Sequence, residues 1–131
     1  MRRVITFGTF DVFHVGHVSI LERARSHGDH LIVGVSSDAL NYAKKGRYPI
    51  YPQHDRKNII AALRCVDQVF YEESLELKHQ YICEYNADVL VMGDDWEGKF
   101  DHHRSHCEVT YLKRTPSIST TEIIEVVKST R

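Results

Sequence analysis

The sequence predicts a single α/β domain built on a doubly wound parallel sheet of five strands. Two patterns carry that expectation. Short β-favouring apolar runs alternate with segments whose apolar residues recur at helical spacing, the mark of βαβ units with right-handed crossovers. One of those runs, HLIVGVS at residues 30–36, is apolar almost throughout, as a strand covered on both faces must be. At 131 residues the chain suffices for one modest core, and no repeat, linker or low-complexity tract divides it.

Taken in order, residues 4–7 (VITF) read as the first strand, bounded by Gly8. Val15, Val18, Leu21 and Ala24 lie three apart, so residues 15–27 read as a helix, with Gly28 as its C-cap. After the second strand, Ser37 and Asp38 cap a short helix over 39–43. A basic, proline-bearing loop fills 44–52. A third helix covers 54–64, with Ile59, Ile60 and Leu63 inward. Residues 66–70 form the third strand, and 75–85 a helix with Leu77, Tyr81 and Ile82 on its apolar side. The fourth strand is 88–92 (DVLVM), the polar and aromatic stretch 94–104 is loop, and the fifth strand is 108–112. A closing helix over 119–129 starts with Ser119 and Glu122 at capping-box spacing.

Composition narrows the function. The formal net charge is -1, so the globally basic footprint of a nucleic-acid binder is missing and any basic site is local. No apolar run approaches the ~20 residues of a membrane helix. Met-Arg-Arg-Val leads directly into a strand, so no signal peptide is expected. Cys65, Cys83 and Cys107 are odd in number and widely spaced, as reduced thiols of a cytoplasmic protein would be.

The chemistry concentrates where strand one turns into helix one. Gly8-Thr9-Phe10 is followed by His14-Val15-Gly16-His17. A glycine turn leading into a helix start offers free backbone N–H groups and the positive end of the dipole to an anion. His14 and His17 project from one side of the first turn, and Gly16 admits close approach of a ligand. A metal pair or two structural histidines are the competing readings. A second such cradle is Ile118-Ser119-Thr120-Thr121 with Arg114 before it, which an ordinary N-cap would also explain. Lys44-Lys45-Gly46-Arg47 is the one dense basic cluster, and a solvated face is its alternative. Asp94-Asp95 invites a magnesium reading. In a parallel sheet, segments that follow strands meet at the carboxyl edge, so these stretches are expected to converge.

GTFDVFHVGH resembles the N-terminal signature of the nucleotidylyltransferase superfamily, with its HxGH pattern. MGDDWEGKFD (92–101) and RTPSISTTEI (114–123) are similar to motifs of the cytidylyltransferase family, in its branch serving glycerol 3-phosphate. The resemblance implies a Rossmann-like nucleotidylyltransferase fold, CTP and a small phosphorylated alcohol as substrates, Mg2+ carried mainly by the CTP phosphates, and a homodimer. Another phosphorylated alcohol or sugar phosphate remains open as acceptor, and a non-catalytic nucleotide-binding module is the remote alternative. By the same resemblance His14 and His17 stabilise charge on the α-phosphate, while Arg114, Ser119 and Thr120 hold the β- and γ-phosphates. Thr9 and Phe10 join the nucleotide contacts. Lys44 takes the acceptor phosphate and shares in catalysis, and Lys78 lies near the acceptor. Lys45 or Arg47 takes a CTP-facing role, and Asp95 accepts from the cytosine amine. Arg56 and Arg64 belong to the substrate side, with Asp67 beside a subunit contact. Asp11 and Asp38 are placed as supports for the site or the metal, and no dedicated protein metal ligand is expected. The histidine-rich run 101–107 departs from the family pattern, and its spacing fits no standard zinc site.

Overall fold

A computed structural model describes residues 1–114 and 119–129. The elements run β1 (Arg3–Gly8), α1 (Val15–Arg25), β2 (His30–Ser36), α2 (Asp38–Lys45), α3 (Gln53–Ala61), β3 (Gln68–Glu72), α4 (Lys78–Glu84), β4 (Val89–Gly93), β5 (Glu108–Leu112) and α5 (Thr120–Ser129). One turn of 3-10 helix leads into α4 at Leu75–Leu77, and two more, Asp94–Trp96 and Asp101–Ser105, give form to the stretch expected to be loop. Among the described residues no helix is long and apolar enough to cross a membrane.

The sheet is parallel in the order β3-β2-β1-β4-β5. Strand order reverses between β1 and β4, so a crevice opens beyond their carboxyl ends. Residues 30–36 and 108–112 are strands as expected. The third strand is displaced by two residues. Asp67 is spent at the start of β2, where its carboxylate accepts from Leu31 N at 2.8 Å, and pairing with β2 begins at Gln68. That shift makes Glu72 the last residue of β3.

Each face of the sheet carries its own apolar layer. Val4, Leu31, Val33, Val35, Val89 and Val91 pack under Leu21 and Ala24 of α1 and Ile60 of α3. Ile5, Phe7, Ile32, Leu90 and Met92 pack on the other side against Tyr81 and Ile82 of α4. Gly34 lets Phe7 and Phe70 meet edge to face at 5.9 Å, since a Cβ there would lie 2.6 Å from the Phe7 ring. Of the spacing read for α1, Leu21 and Ala24 are buried while Val15 is 68 % exposed. The first turn of α1 gives its inward side to the crevice instead of the core.

Candidate active site

His14 and His17 cap each other's turn. His14 is the N-cap of α1, with Nδ1 accepting from Gly16 N at 3.0 Å, and His17 Nδ1 accepts from His14 N at 3.2 Å. Two consequences follow from this reciprocal arrangement. Each Nδ1 is an acceptor, so in the neutral ring the proton sits on Nε2, which becomes an outward donor. Both rings are also held neutral. Burial lowers the His14 pKa, and burial first, then neighbouring His14, lowers that of His17 to about 4 against an opposing pull from Asp11. The rings lie 3.9 Å apart, and Phe10 and Phe13 flank His17 at 5.6 and 5.3 Å.

The first turn of α1 meets the start of α5. Thr120 Oγ1 lies 3.3 Å from His14 Nε2 and donates to Asp11 O at 3.0 Å. Thr120 Oγ1 therefore accepts a hydrogen bond from His14 Nε2–H and donates its own to the β1–α1 loop. Ser119 Oγ caps α5 by accepting from Glu122 N at 3.1 Å, so the capping role read from sequence is real. Ile118 falls within 115–118, outside the described residues. A cleft of about 320 Å³ brings together His14, His17, Asp95, Arg114, Ser119 and Thr120. An adjoining space of about 500 Å³ shares His17 and Thr120 and adds Thr9, Phe10, Lys45 and Arg47. The two anion cradles read from sequence thus face each other across one crevice.

Strain and pinning shape the loop between them. Phe10 (φ 55°) and Val12 (φ 47°) are both left-handed without being glycine, a conformation costing roughly 1–2 kcal/mol each. They bracket Asp11, whose carboxylate accepts from Val12 N at 3.0 Å, Ile50 N at 2.8 Å and Tyr51 N at 2.9 Å. Asp11 thereby straps the basic loop 46–52 to the β1–α1 turn. Thr9 Oγ1 donates to Asn41 Oδ1 at 2.8 Å, tying the same turn to α2.

Two of the expected arginines lie away from the crevice. Arg56 is fully buried and presents nothing to the crevice. Its guanidinium donates to Tyr51 O (2.9 Å), Thr9 O (2.9 Å), Ser36 O (2.8 Å) and Asp38 Oδ1 (2.7 Å), which makes it a clamp beneath the site. Asp38 is occupied by that pair and by Gln53 N at 3.2 Å. Arg64 lies exposed on the turn between α3 and β3, at the amino edge of the sheet, because α3 runs back against the strands. Within this chain it is not brought to the crevice.

The lysines divide. Lys44, at the end of α2, draws its ammonium back to Ser36 Oγ at 3.4 Å. Lys78, 3 % exposed, pairs with Glu72 Oε2 at 2.5 Å and lies over the Phe7 ring at 4.2 Å. Desolvation lowers the pKa of both, with Glu72 opposing it in each case. Sequence reasoning passed over Glu72 and Ser36. The signal was there: on a strand ending at Glu72, alternation buries Phe70 and Glu72 together. His102, His103 and His106 line a cleft of about 340 Å³ with His79 and Lys78. Among the described residues no three His, Cys, Asp or Glu side chains are arranged to hold a metal ion.

The sequence profile of the cytidylyltransferase-like family matches residues 5–126. A glycerol-3-phosphate cytidylyltransferase of Bacillus subtilis (strain 168) is 52 % identical over 128 residues, covering 97 % of this chain and 98 % of the relative. One of the same name from Staphylococcus aureus is 46 % identical over 94 % of this chain and 92 % of its own. In fold, the chain is similar to the lipopolysaccharide core biosynthesis protein from Thermoplasma volcanium, with a TM-score of 0.74 at 24 % identity over 88 % of this chain and 98 % of that one.

Proposed function

The chain belongs to the cytidylyltransferase-like family, and from that membership we propose that it transfers CMP from CTP to sn-glycerol 3-phosphate, giving CDP-glycerol and pyrophosphate. The observation that carries this reading is the 3.3 Å approach of His14 Nε2 to Thr120 Oγ1, which sets two helix starts against one crevice. A triphosphate laid across that junction meets donors at both ends.

The chemistry asks for charge stabilisation and alignment. A phosphomonoester has a second pKa of about 6, so near pH 7 it is already a dianionic nucleophile without a general base. One of its oxygens bonds to the α-phosphorus while the bond to the β-phosphate oxygen breaks, and pyrophosphate leaves with that electron pair. The neutral Nε2–H of His17 donates to an α-phosphate oxygen as charge gathers there, and that of His14 exchanges Thr120 Oγ1 for a second phosphate oxygen when CTP is bound. Ser119, Thr120 and Arg114 receive the β- and γ-phosphates that become the leaving group. Thr9, Phe10 and the Lys45–Arg47 stretch bound the adjoining space; by the family resemblance Asp95 would accept from the cytosine amine, and Lys44 and Lys78 would take the acceptor phosphate. Asp11 and Asp38 are engaged by Ile50, Tyr51, Gln53 and Arg56; by the family resemblance Mg2+ would be carried mainly by the CTP phosphates, where it would neutralise their charge.

One contact favours a polyol phosphate over phosphocholine as acceptor. The Lys78 ammonium already lies over the faces of Phe7 (4.2 Å) and Phe100 (5.2 Å), where a quaternary ammonium would seek its aromatic partners. The family resemblance supports a homodimer and a cytoplasmic location, and light scattering of the purified chain tests the first. The deciding experiment measures pyrophosphate release with CTP, Mg2+ and a panel of acceptors. Glycerol 3-phosphate is expected to give the highest kcat/KM. His17→Ala is expected to lower its turnover at least ~100-fold, the scale of losing one well-placed donor. Preference for a choline, ethanolamine or sugar phosphate would replace the acceptor assignment. CTP binding without turnover on any acceptor would leave only a binding module.

A further inference from the structure

Glu72 ends β3 and is 1 % exposed. Parallel pairing sets it beside Ser36, the last residue of β2. Its two oxygens serve two different elements: Oε2 accepts from Lys78 Nζ at 2.5 Å, and Oε1 accepts from Ser36 Oγ at 3.3 Å. Ser36 Oγ accepts in turn from Lys44 Nζ at 3.4 Å. The connected order is Lys78–Glu72–Ser36–Lys44, with one lysine from the start of α4 and the other from the end of α2. Lys44 is otherwise an exposed side chain on four rotatable bonds, and Lys78 is a buried cation that needs a partner. The carboxylate lies between two like charges that would otherwise repel each other and the nearby Arg56.

We propose that Glu72 is a positioning residue of the acceptor site: directly through Lys78, and through Ser36 to Lys44, it ties together the two ammonium groups that receive the phosphomonoester. This rests on the reading above, in which those lysines hold the acceptor phosphate. Being buried, Glu72 acts through the lysines. The three groups carry a net single positive charge toward a dianion, which keeps the pair attractive while the carboxylate stops the lysines from spreading apart.

The test is steady-state kinetics of Glu72→Gln and Ser36→Ala with CTP and glycerol 3-phosphate, beside the parent enzyme. Glu72→Gln is expected to raise the acceptor KM at least ~10-fold, as loss of a charge-assisted hydrogen bond does, with the CTP KM within about twofold. Ser36→Ala is expected to raise the acceptor KM about threefold, since it parts Lys44 from Glu72 while leaving the Lys78–Glu72 pair in place, and it carries the test if Glu72→Gln does not fold. In Glu72→Gln the alkaline limb of acceptor kcat/KM moves to lower pH, because Lys78 loses the group that raises its pKa. A lowered melting temperature with the acceptor KM unchanged, or with both KM values raised equally, would reduce Glu72 to a structural counter-ion and overturn the proposal. No turnover by the parent enzyme would overturn the underlying reading, which is a separate result.

Discussion

The two imidazoles are useful because of what occupies their inner nitrogens. With each Nδ1 taken by a backbone N–H, each ring has one tautomer to offer and one direction in which to donate. A neutral donor suits a centre where charge builds during transfer, because it needs no proton from solvent and releases none. Arg56 shows the opposite use of a cationic side chain. Its donors are spent on backbone carbonyls and Asp38, so Arg56→Ala is expected to destabilise the fold by about 3–5 kcal/mol, the scale of breaking a buried pair. Urea denaturation checks this; an unchanged midpoint with a raised substrate KM would restore Arg56 to the substrate side. The sequence could name the arginine but not its burial. A helix of nine residues with one arginine facing inward reads the same whether that arginine meets substrate or a ring of carbonyls.

Between elements, the decisive device is the strap from Asp11 to Ile50 and Tyr51. It joins the turn after β1 to a loop some forty residues away, and with that loop comes Arg47, beside Lys45 at the end of α2. Asp11→Ala is expected to raise the CTP KM about tenfold and to lower stability by about 1–3 kcal/mol, the loss of carboxylate-held backbone donors. A CTP KM that stays put in initial-rate measurements would detach the loop from nucleotide binding. Strands, and the motifs that follow them, were legible from local pattern, because a buried parallel strand and a helix start each leave a short-range trace. The partners of Asp11, Ser36 and Glu72 were not, since they are fixed by register and by loops that fold back from afar. The two-residue displacement of β3 is an instance: its start is set by pairing with Ile32, and Val66, apolar enough to begin a strand, packs below the sheet edge instead.

Over the whole molecule, burial of imidazoles sets an acid limit. His17 and His103 both have pKa values lowered to about 4, His17 by burial and by His14, His103 by burial and then by His102, His79, Lys78 and His106. An unfolded histidine titrates near 6.5, so between that pH and about 4 the unfolded chain takes up more protons than the folded one. Stability is therefore whole above pH 6.5 and declines as the pH falls through that window. The melting temperature at pH 5 is expected to lie roughly 10 °C below that at pH 7, the equivalent of about 3 kcal/mol from the two histidines together. His103→Gln should remove part of the difference, and a flat profile by calorimetry would refute it. Parallel topology supplies the rest of the plan, since strands ending on one edge put the segments that follow β1, β4 and β5 within reach of one crevice. Val12, held left-handed beside that crevice, has a bearing on how such a chain could adapt to heat. Glycine there would relax the backbone, so a selection for thermal endurance alone would favour it early. The same exchange would slacken the turn that presents Asp11, and lineages kept under demand for turnover would be barred from the easiest route to a hardier protein.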